Sequence, residues 1–315
     1  MRHPDSPSTE NSVLADLFSR RLLVVTGKGG TGKTTIASAL VRRASAMGKR
    51  VIACEVGRDA SSPSPLLGLL APGRAASNEP QTLEGTIAHV VLRGEDGVRA
   101  FLRETLPFKF MAERALKVDA VRRFIDAAPA FAEMGVLFRG MQLLDEKRRD
   151  GSSVYDLMVL DAPASGHTLA FASLPETILK VFSIGPIATA ARAGIELIGN
   201  PRTTTVVTTT LPEALPVSEA VELYAGLRQR GLDVGAIVAN QLPHDPFTPA
   251  ERALLDTVLP REVLGRRALV RIANANDALA RLRLLGAPRL EVRAHAASGA
   301  ALVATIEQGL AGAAA

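Results

Sequence analysis

The chain has 315 residues, of which 47% are hydrophobic and 22% charged, with a formal net charge of +5. This composition excludes a fibrous or wholly disordered chain and supplies ample material for a buried core. The single cysteine, Cys54, excludes an intrachain disulfide and any Cys-x-x-Cys metal site, and the scattered arginines read as a solvated surface rather than a nucleic-acid patch.

No apolar run approaches the ~20 residues needed to span a bilayer, and the first residues lack a signal-peptide core. A cytoplasmic protein with no stable membrane insertion is therefore expected. Residues 1–12 are polar and proline-containing and read as a disordered tail, leaving 13–315 as a single domain whose residues 13–20 suit a short lead-in helix. Leu22–Val25 is a short apolar, β-branched run, as in a buried parallel strand. It leads into Gly27-Lys-Gly-Gly-Thr-Gly-Lys-Thr-Thr35, which satisfies Gly-x-x-x-x-Gly-Lys-[Ser/Thr], the phosphate-binding loop pattern. Ile36, Leu40, Ala44 and Met47 then recur at helical spacing, with Gly48 as a stop. Strand, glycine loop and helix are the context this motif requires. Gly27, Gly29, Gly30 and Gly32 let the backbone approach closely, so that N–H groups from the loop through Thr31 and Thr35 cradle phosphates at a helix N-terminus. Lys33 is placed to reach the β- and γ-phosphates of ATP, and the Thr34 hydroxyl to bind Mg²⁺.

Further along, 50–55 reads as a strand burying Cys54, 56–80 as a loop rich in Gly, Ser, Pro and Ala, and 87–92 as another strand. Residues 97–150 are expected to be a helical insertion between strands. They hold six of the ten phenylalanines and three of the six methionines, with Met134, Leu137, Phe138 and Met141 at i, i+3, i+4, i+7 and Lys147-Arg148-Arg149 closing the helix. Such stripes either pack on the domain or form a Met/Phe-rich surface for a hydrophobic client. Tyr155–Asp161, Thr205–Thr209 and Ala236–Ala239 are further strands, Leu269–Val270 and Leu290–Val292 weaker ones, and Pro216–Arg230 and Ala300–Leu310 helices. This alternation predicts an α/β fold of the P-loop NTPase kind, a mostly parallel sheet with helices on both faces. Asp161 ends an apolar strand where P-loop enzymes carry a second Mg²⁺-associated carboxylate. Gly166-His167-Thr168 follows where a γ-phosphate-sensing loop would sit.

Lys28 distinguishes this loop. Lys-Gly-Gly-Thr-Gly-Lys-Thr resembles the deviant Walker A loop of dimerising ATPases that include the partitioning, septum-site and nitrogenase iron-protein families. In that group the early lysine reaches across a dimer to the partner's nucleotide, a charge clamp on the transition state. Asp161-Ala-Pro-Ala-Ser-Gly-His-Thr-Leu169, with Leu174-Pro175, narrows the match. It is similar to the Asp-(Thr)-Ala-Pro-Thr-Gly-His-Thr-Leu…Leu-Pro block of the arsenite-pump and tail-anchored-protein targeting ATPases. Thr209-Thr-Leu-Pro-Glu213 with Glu219, and Gly231–Gln241, extend the resemblance to about residues 20–245. It implies a Mg²⁺-dependent ATPase, a homodimer, and an adenine contact at Asn240.

Departures from that pattern matter. The family's Asp-Pro-Ala-His-Ser switch loop, whose Asp positions the attacking water, is replaced by Glu55-Val-Gly-Arg-Asp-Ala-Ser-Ser62, with Gly57 at the aligned Asp; Asp59 or Glu55 is left as the substitute. The arsenite-binding cysteine trio and the zinc clip are absent, so neither an arsenite nor a zinc site is expected. The leading expectation is a nucleotide-driven dimeric switch that loads or releases a hydrophobic client through 97–150. Gly57 favours an alternative, a nucleotide-gated scaffold with little hydrolysis. A partitioning ATPase on DNA or membrane ranks below both, since neither a terminal amphipathic helix nor a concentrated basic patch is present.

Overall fold

The computed structural model describes residues 7–57, 62–105, 129–163, 165–258 and 264–312. Helix α1 (Pro7–Leu17) precedes strand β1 (Leu22–Gly27), helix α2 (Lys33–Ala46) and strand β2 (Val51–Val56). Helix α3 (Pro65–Leu70), strands β3 (Gln81–Thr82) and β4 (Ile87–Leu92), and helices α4 (Gly94–Thr105) and α5 (Pro129–Asp145) follow. Strand β5 (Leu157–Asp161) leads to helices α6 (Ser165–Val181) and α7 (Pro186–Gly199), then strand β6 (Thr204–Thr210), helix α8 (Ala214–Gln229) and strand β7 (Val234–Leu242). Helices α9 (Pro249–Val258) and α10 (Leu264–Arg283), strand β8 (Arg289–Arg293) and helix α11 (Gly299–Gly312) complete the described chain.

Among the described residues the strands form one sheet in the order β3-β4-β2-β5-β1-β6-β7-β8, parallel throughout except for the short β3. Every residue of β4 and β6 and nearly every residue of β2 is buried, as strands covered on both faces require. On one face, Leu14 and Leu17 of α1, Ile36 and Leu40 of α2 and Val303 of α11 pack over Leu23, Val25, Ala53 and Val238. On the other, Val136 and Leu143 of α5 cover Ile52, Cys54 and Leu160, while α8 and α10 cover β7. The expected α/β architecture with two helical layers is therefore present. Among the described residues no helix is long and apolar enough to cross a membrane.

Several local expectations need correction. Residues 7–12 are helical, as the first part of α1, and 1–6 lie outside the described residues. Residues 65–70, inside the expected loop, form α3, with Leu66, Leu67 and Leu70 buried. Leu269–Val270 belongs to α10, because Leu269, Ile272, Ala275, Leu279 and Leu282 are buried at helical spacing. Helix α5 stops at Asp145, and Lys147 instead forms a bridge with Ser153 across a turn at Gly151. Residues 165–168 form the first turn of α6 rather than a loop.

Helices α4 and α5 meet backbone against backbone where Gly94 and Gly97 cross Gly135. A Cβ on Gly97 would overlap the Gly135 carbonyl, a Cβ on Gly135 would overlap that of Gly94, and one on Gly94 would lie 2.6 Å from Ala132. The overlapped atoms are backbone, so relief requires the helices to separate. Gly97→Ala should destabilise the protein by about 1–3 kcal/mol. Urea unfolding checks this; an unchanged midpoint would mean the crossing is looser than described.

Candidate functional site

The site lies at the carboxyl ends of the central strands, where the connections from β1 and β5 leave in opposite directions along the sheet. The loop between β1 and α2 is braced from beneath. Gly27 has φ +149° and backs onto Thr209 of β6, its register partner, whose carbonyl a Cβ would overlap. Gly30 and Gly32, at φ +81° and +87°, turn the chain into α2 through the left-handed region that glycine enters freely. Thr31 Oγ1 donates to the Lys28 carbonyl at 2.8 Å and lies 2.8 Å from Thr209 Oγ1. Asn240, buried at the end of β7, donates from Nδ2 to the Thr31 carbonyl at 2.9 Å and accepts from the Gln241 N–H at 2.9 Å. A Cβ on Gly32 would overlap that amide. Asn240, expected from the resemblance as an adenine contact, braces the phosphate loop in this structure. Thr31, Thr209 and Asn240 hold the loop in shape, while the first N–H groups of α2 remain without helical partners and can accept an anion.

The Thr34 hydroxyl, in the first turn of α2, donates to Asp161 Oδ2 at 2.6 Å. Among the described residues, Asp161 Oδ1 is buried with no hydrogen-bond partner. Burial pushes the Asp161 carboxyl up to about 6, opposed by the Thr34 hydrogen bond and the Lys33 charge and reinforced by Glu55. Burial lowers the Lys33 ammonium, and Asp161 counters it; Lys33 Nζ donates to the Lys28 carbonyl at 3.1 Å. A hydroxyl and a carboxylate with an orphaned oxygen are hard oxygen donors, the type Mg²⁺ prefers. Among the described residues no group of three or more His, Cys, Asp or Glu could hold a metal. A metal ion here would draw its remaining ligands from water and phosphate, as Mg²⁺ commonly does.

Lys28 Nζ pairs with Glu219 Oε1 of α8 at 2.9 Å. Glu55 lies beside Asp161 in register, but its carboxylate is engaged by Ser64, Leu66 and His89. Asp59 lies outside the described residues. Gly29 lies exposed within the loop, and Thr35 is in the first turn of α2. Cys54 is buried in β2, and burial raises its thiol far above the ordinary range. The Thr31–Thr209–Asn240 bracing and the Glu55–His89 pair escaped the sequence reading. Polar residues inside otherwise apolar strand ends were their only signal.

A glycine loop closed on a lysine between a central parallel strand and a helix, facing a half-buried aspartate on the next strand, defines a P-loop nucleotide-binding protein. The chain belongs to the CobQ/CobB/MinD/ParA nucleotide binding domain family, whose model matches residues 22–285. It is 27% identical to ATPase BagA of Mycobacterium tuberculosis over 228 residues, 70% of this chain and 65% of that protein. It is also 27% identical to the arsenical pump-driving ATPase of Escherichia coli over 289 residues, 86% of this chain and 44% of that one. With ATPase GET3 of Debaryomyces hansenii the identity is 26% over 145 residues, 38% of this chain and 42% of that protein. The chain thus matches less than two thirds of the length of each of these relatives.

Proposed function

We propose that this protein is a Mg²⁺-dependent ATPase of the kind formed by the arsenite-pump and tail-anchored-protein targeting ATPases. The observation that carries the reading is the Thr34–Asp161 contact beside Lys33, with one carboxylate oxygen left buried and unpartnered. Lys33 and the loop amides would hold the phosphates of ATP, with Thr34 and Asp161 holding Mg²⁺. The ion supplies charge neutralisation at the transferring phosphoryl group. Lys33, desolvated by burial, acts more strongly there than in water. The names of two relatives, an arsenical pump-driving ATPase and GET3, fit this reading. The single cysteine fits a client other than arsenite.

The switch would be a nucleotide-driven homodimer in which Lys28 leaves Glu219 for the partner's nucleotide. Its output would be a hydrophobic client or partner protein met by the α4–α5 region. There the inner face of α5 is core, through Val136, Leu143 and Leu144 against the sheet and Met134 and Leu137 against α6 and α7. The outer side opens on a cavity of about 1260 Å³, lined by Phe101, Phe138, Met141 and Tyr155 and also by Glu79, Glu104, Arg139, Asp145 and Glu146. Phe101 and Phe138 meet edge to face at 5.1 Å inside it. Such a mixed lining would offer a client two aromatic anchors among acidic side chains.

Light scattering with and without Mg²⁺ and a non-hydrolysable ATP analogue, together with binding of an apolar dye, tests both parts. A doubled mass and altered dye binding with nucleotide are expected. A constant mass would contradict the dimer, and dye binding indifferent to nucleotide would contradict the coupling. Gly57 favours a second reading, a nucleotide-gated scaffold: it carries no carboxylate, and Glu55 has both oxygens engaged. Tight ATP binding with background turnover would support that reading.

A further inference from the structure

Glu55 is the penultimate residue of β2, just before the strand leaves the sheet. It is 5% exposed and faces the α2 side, level with its register partner Asp161. A carboxylate removed from water is unfavourable unless donors surround it, and stability alone would be served by an aliphatic residue there. Three donors do surround it. His89 Nε2, wholly buried on β4, lies 2.9 Å from Oε1; the Leu66 N–H lies 3.2 Å from Oε2; and the Ser64 hydroxyl also donates to Oε1. An ionised carboxylate only accepts, so this contact assigns the hydrogen to Nε2.

These donors come from two places. His89 belongs to the sheet, whereas Ser64 and Leu66 belong to the start of α3. Glu55 therefore ties the start of α3 to the sheet immediately beside the Thr34–Asp161 contact. The chain leaving β2 is tied as well, since the Gly57 N–H donates to the Leu92 carbonyl at 3.0 Å. Among the described residues Glu55 makes no hydrogen bond to the phosphate loop, so its influence on bound nucleotide passes through what it holds.

We propose that Glu55 is a positioning residue for the reaction at this site, fixing the start of α3 against Asp161, with His89 as the buried donor that keeps its carboxylate in place. This inference rests on the reading of the site as an ATPase centre. Small displacements of groups around a reacting phosphate weaken catalysis more than binding, and turnover should show this first.

The test uses the full chain, with Glu55→Gln and Ser64→Ala. ATP affinity is measured with a fluorescent analogue, and turnover is normalised to titrated nucleotide sites so that unfolded protein does not count. Glu55→Gln should lower kcat by on the order of 10-fold while Kd changes by less than about 3-fold, a split that marks loss of a transition-state interaction. Ser64→Ala should move kcat the same way by roughly 3-fold, since two donors to Glu55 remain. Normalised turnover unchanged in both variants, or Kd and kcat lost in parallel, would overturn the proposal. If the wild type binds ATP without turning it over, the ATPase reading fails, and hydrogen exchange decides the positioning role. Nucleotide should then slow exchange at 64–66 in the wild type and not in Glu55→Gln; an equal response in both would overturn it.

Discussion

Asp161→Asn is expected to make the nucleotide-free protein more stable and at the same time to lower Mg²⁺-dependent hydrolysis by on the order of 100-fold or more. Both effects have one cause. Asp161 is held at about 6, above its ordinary 3.8, chiefly because burial disfavours its charge. A group whose folded pKa is raised contributes stability that is fully present below its unfolded pKa and lost as pH rises through its folded pKa. For Asp161 that window runs from about pH 4 to about pH 6. Above it the ionised carboxylate opposes folding by roughly 3 kcal/mol. Asparagine keeps an acceptor for the Thr34 hydroxyl and removes the charge, so the variant should be flat across this window. Thermal unfolding in EDTA checks the prediction. The variant should exceed the wild type at pH 7.5, and the gap should close toward pH 4. A variant less stable than wild type at pH 7.5 would show that the Asp161 charge is already compensated in the empty site. Because Mg²⁺ requires the ionised carboxylate, its half-saturating concentration should rise as pH falls below about 6.

Lys28→Ala and Glu219→Ala should have opposite effects. Lys28 is paired with Glu219 of its own subunit at 2.9 Å, an arrangement that must open before the lysine can reach a partner's nucleotide. A cation supplied in trans to a transferring phosphoryl group is worth on the order of 10³-fold or more, and Lys28→Ala should approach that loss with ATP binding by one subunit little changed. The Lys28 side chain is half exposed, so the pair itself contributes at most about 1 kcal/mol. Glu219→Ala should therefore lower the protein concentration needed for half-maximal turnover by no more than about 5-fold. Turnover measured across a protein dilution series checks both. Loss of activity in Glu219→Ala as severe as in Lys28→Ala would show that the pair is part of the working site rather than a restraint on it.

The central features were legible because each has a local signature. Lys33 and Thr34 announce themselves by spacing, and Asp161 by ending an apolar strand; the structure brings Thr34 and Asp161 within 2.6 Å. The framework followed from apolar runs such as Leu22–Val25 and Val51–Cys54, which only a doubly covered parallel strand can bury. What escaped depends on contacts between distant segments. Asn240 was readable only as a family adenine contact, and its bond to the Thr31 carbonyl exists because β7 and the loop converge 209 residues apart in sequence. Glu55 read as a strand end and as a candidate substitute for the switch aspartate; its pairing with His89 on β4 depends on a contact 34 residues away in sequence. The Leu269–Val270 pair read as a strand because two apolar residues carry no period, whereas α10 as a whole does. Gly94, Gly97 and Gly135 gave no helical signal of their own, yet their lack of side chains lets α4 and α5 touch.

The most direct test of the ATPase reading is steady-state ATP hydrolysis with Mg²⁺, for the wild type and Lys33→Ala, over a range of protein concentrations. Turnover that requires Mg²⁺, rises per subunit with protein concentration and disappears in Lys33→Ala is the predicted result. Measurable ATP binding with no turnover above background at any concentration would contradict it and leave a nucleotide-gated scaffold in its place.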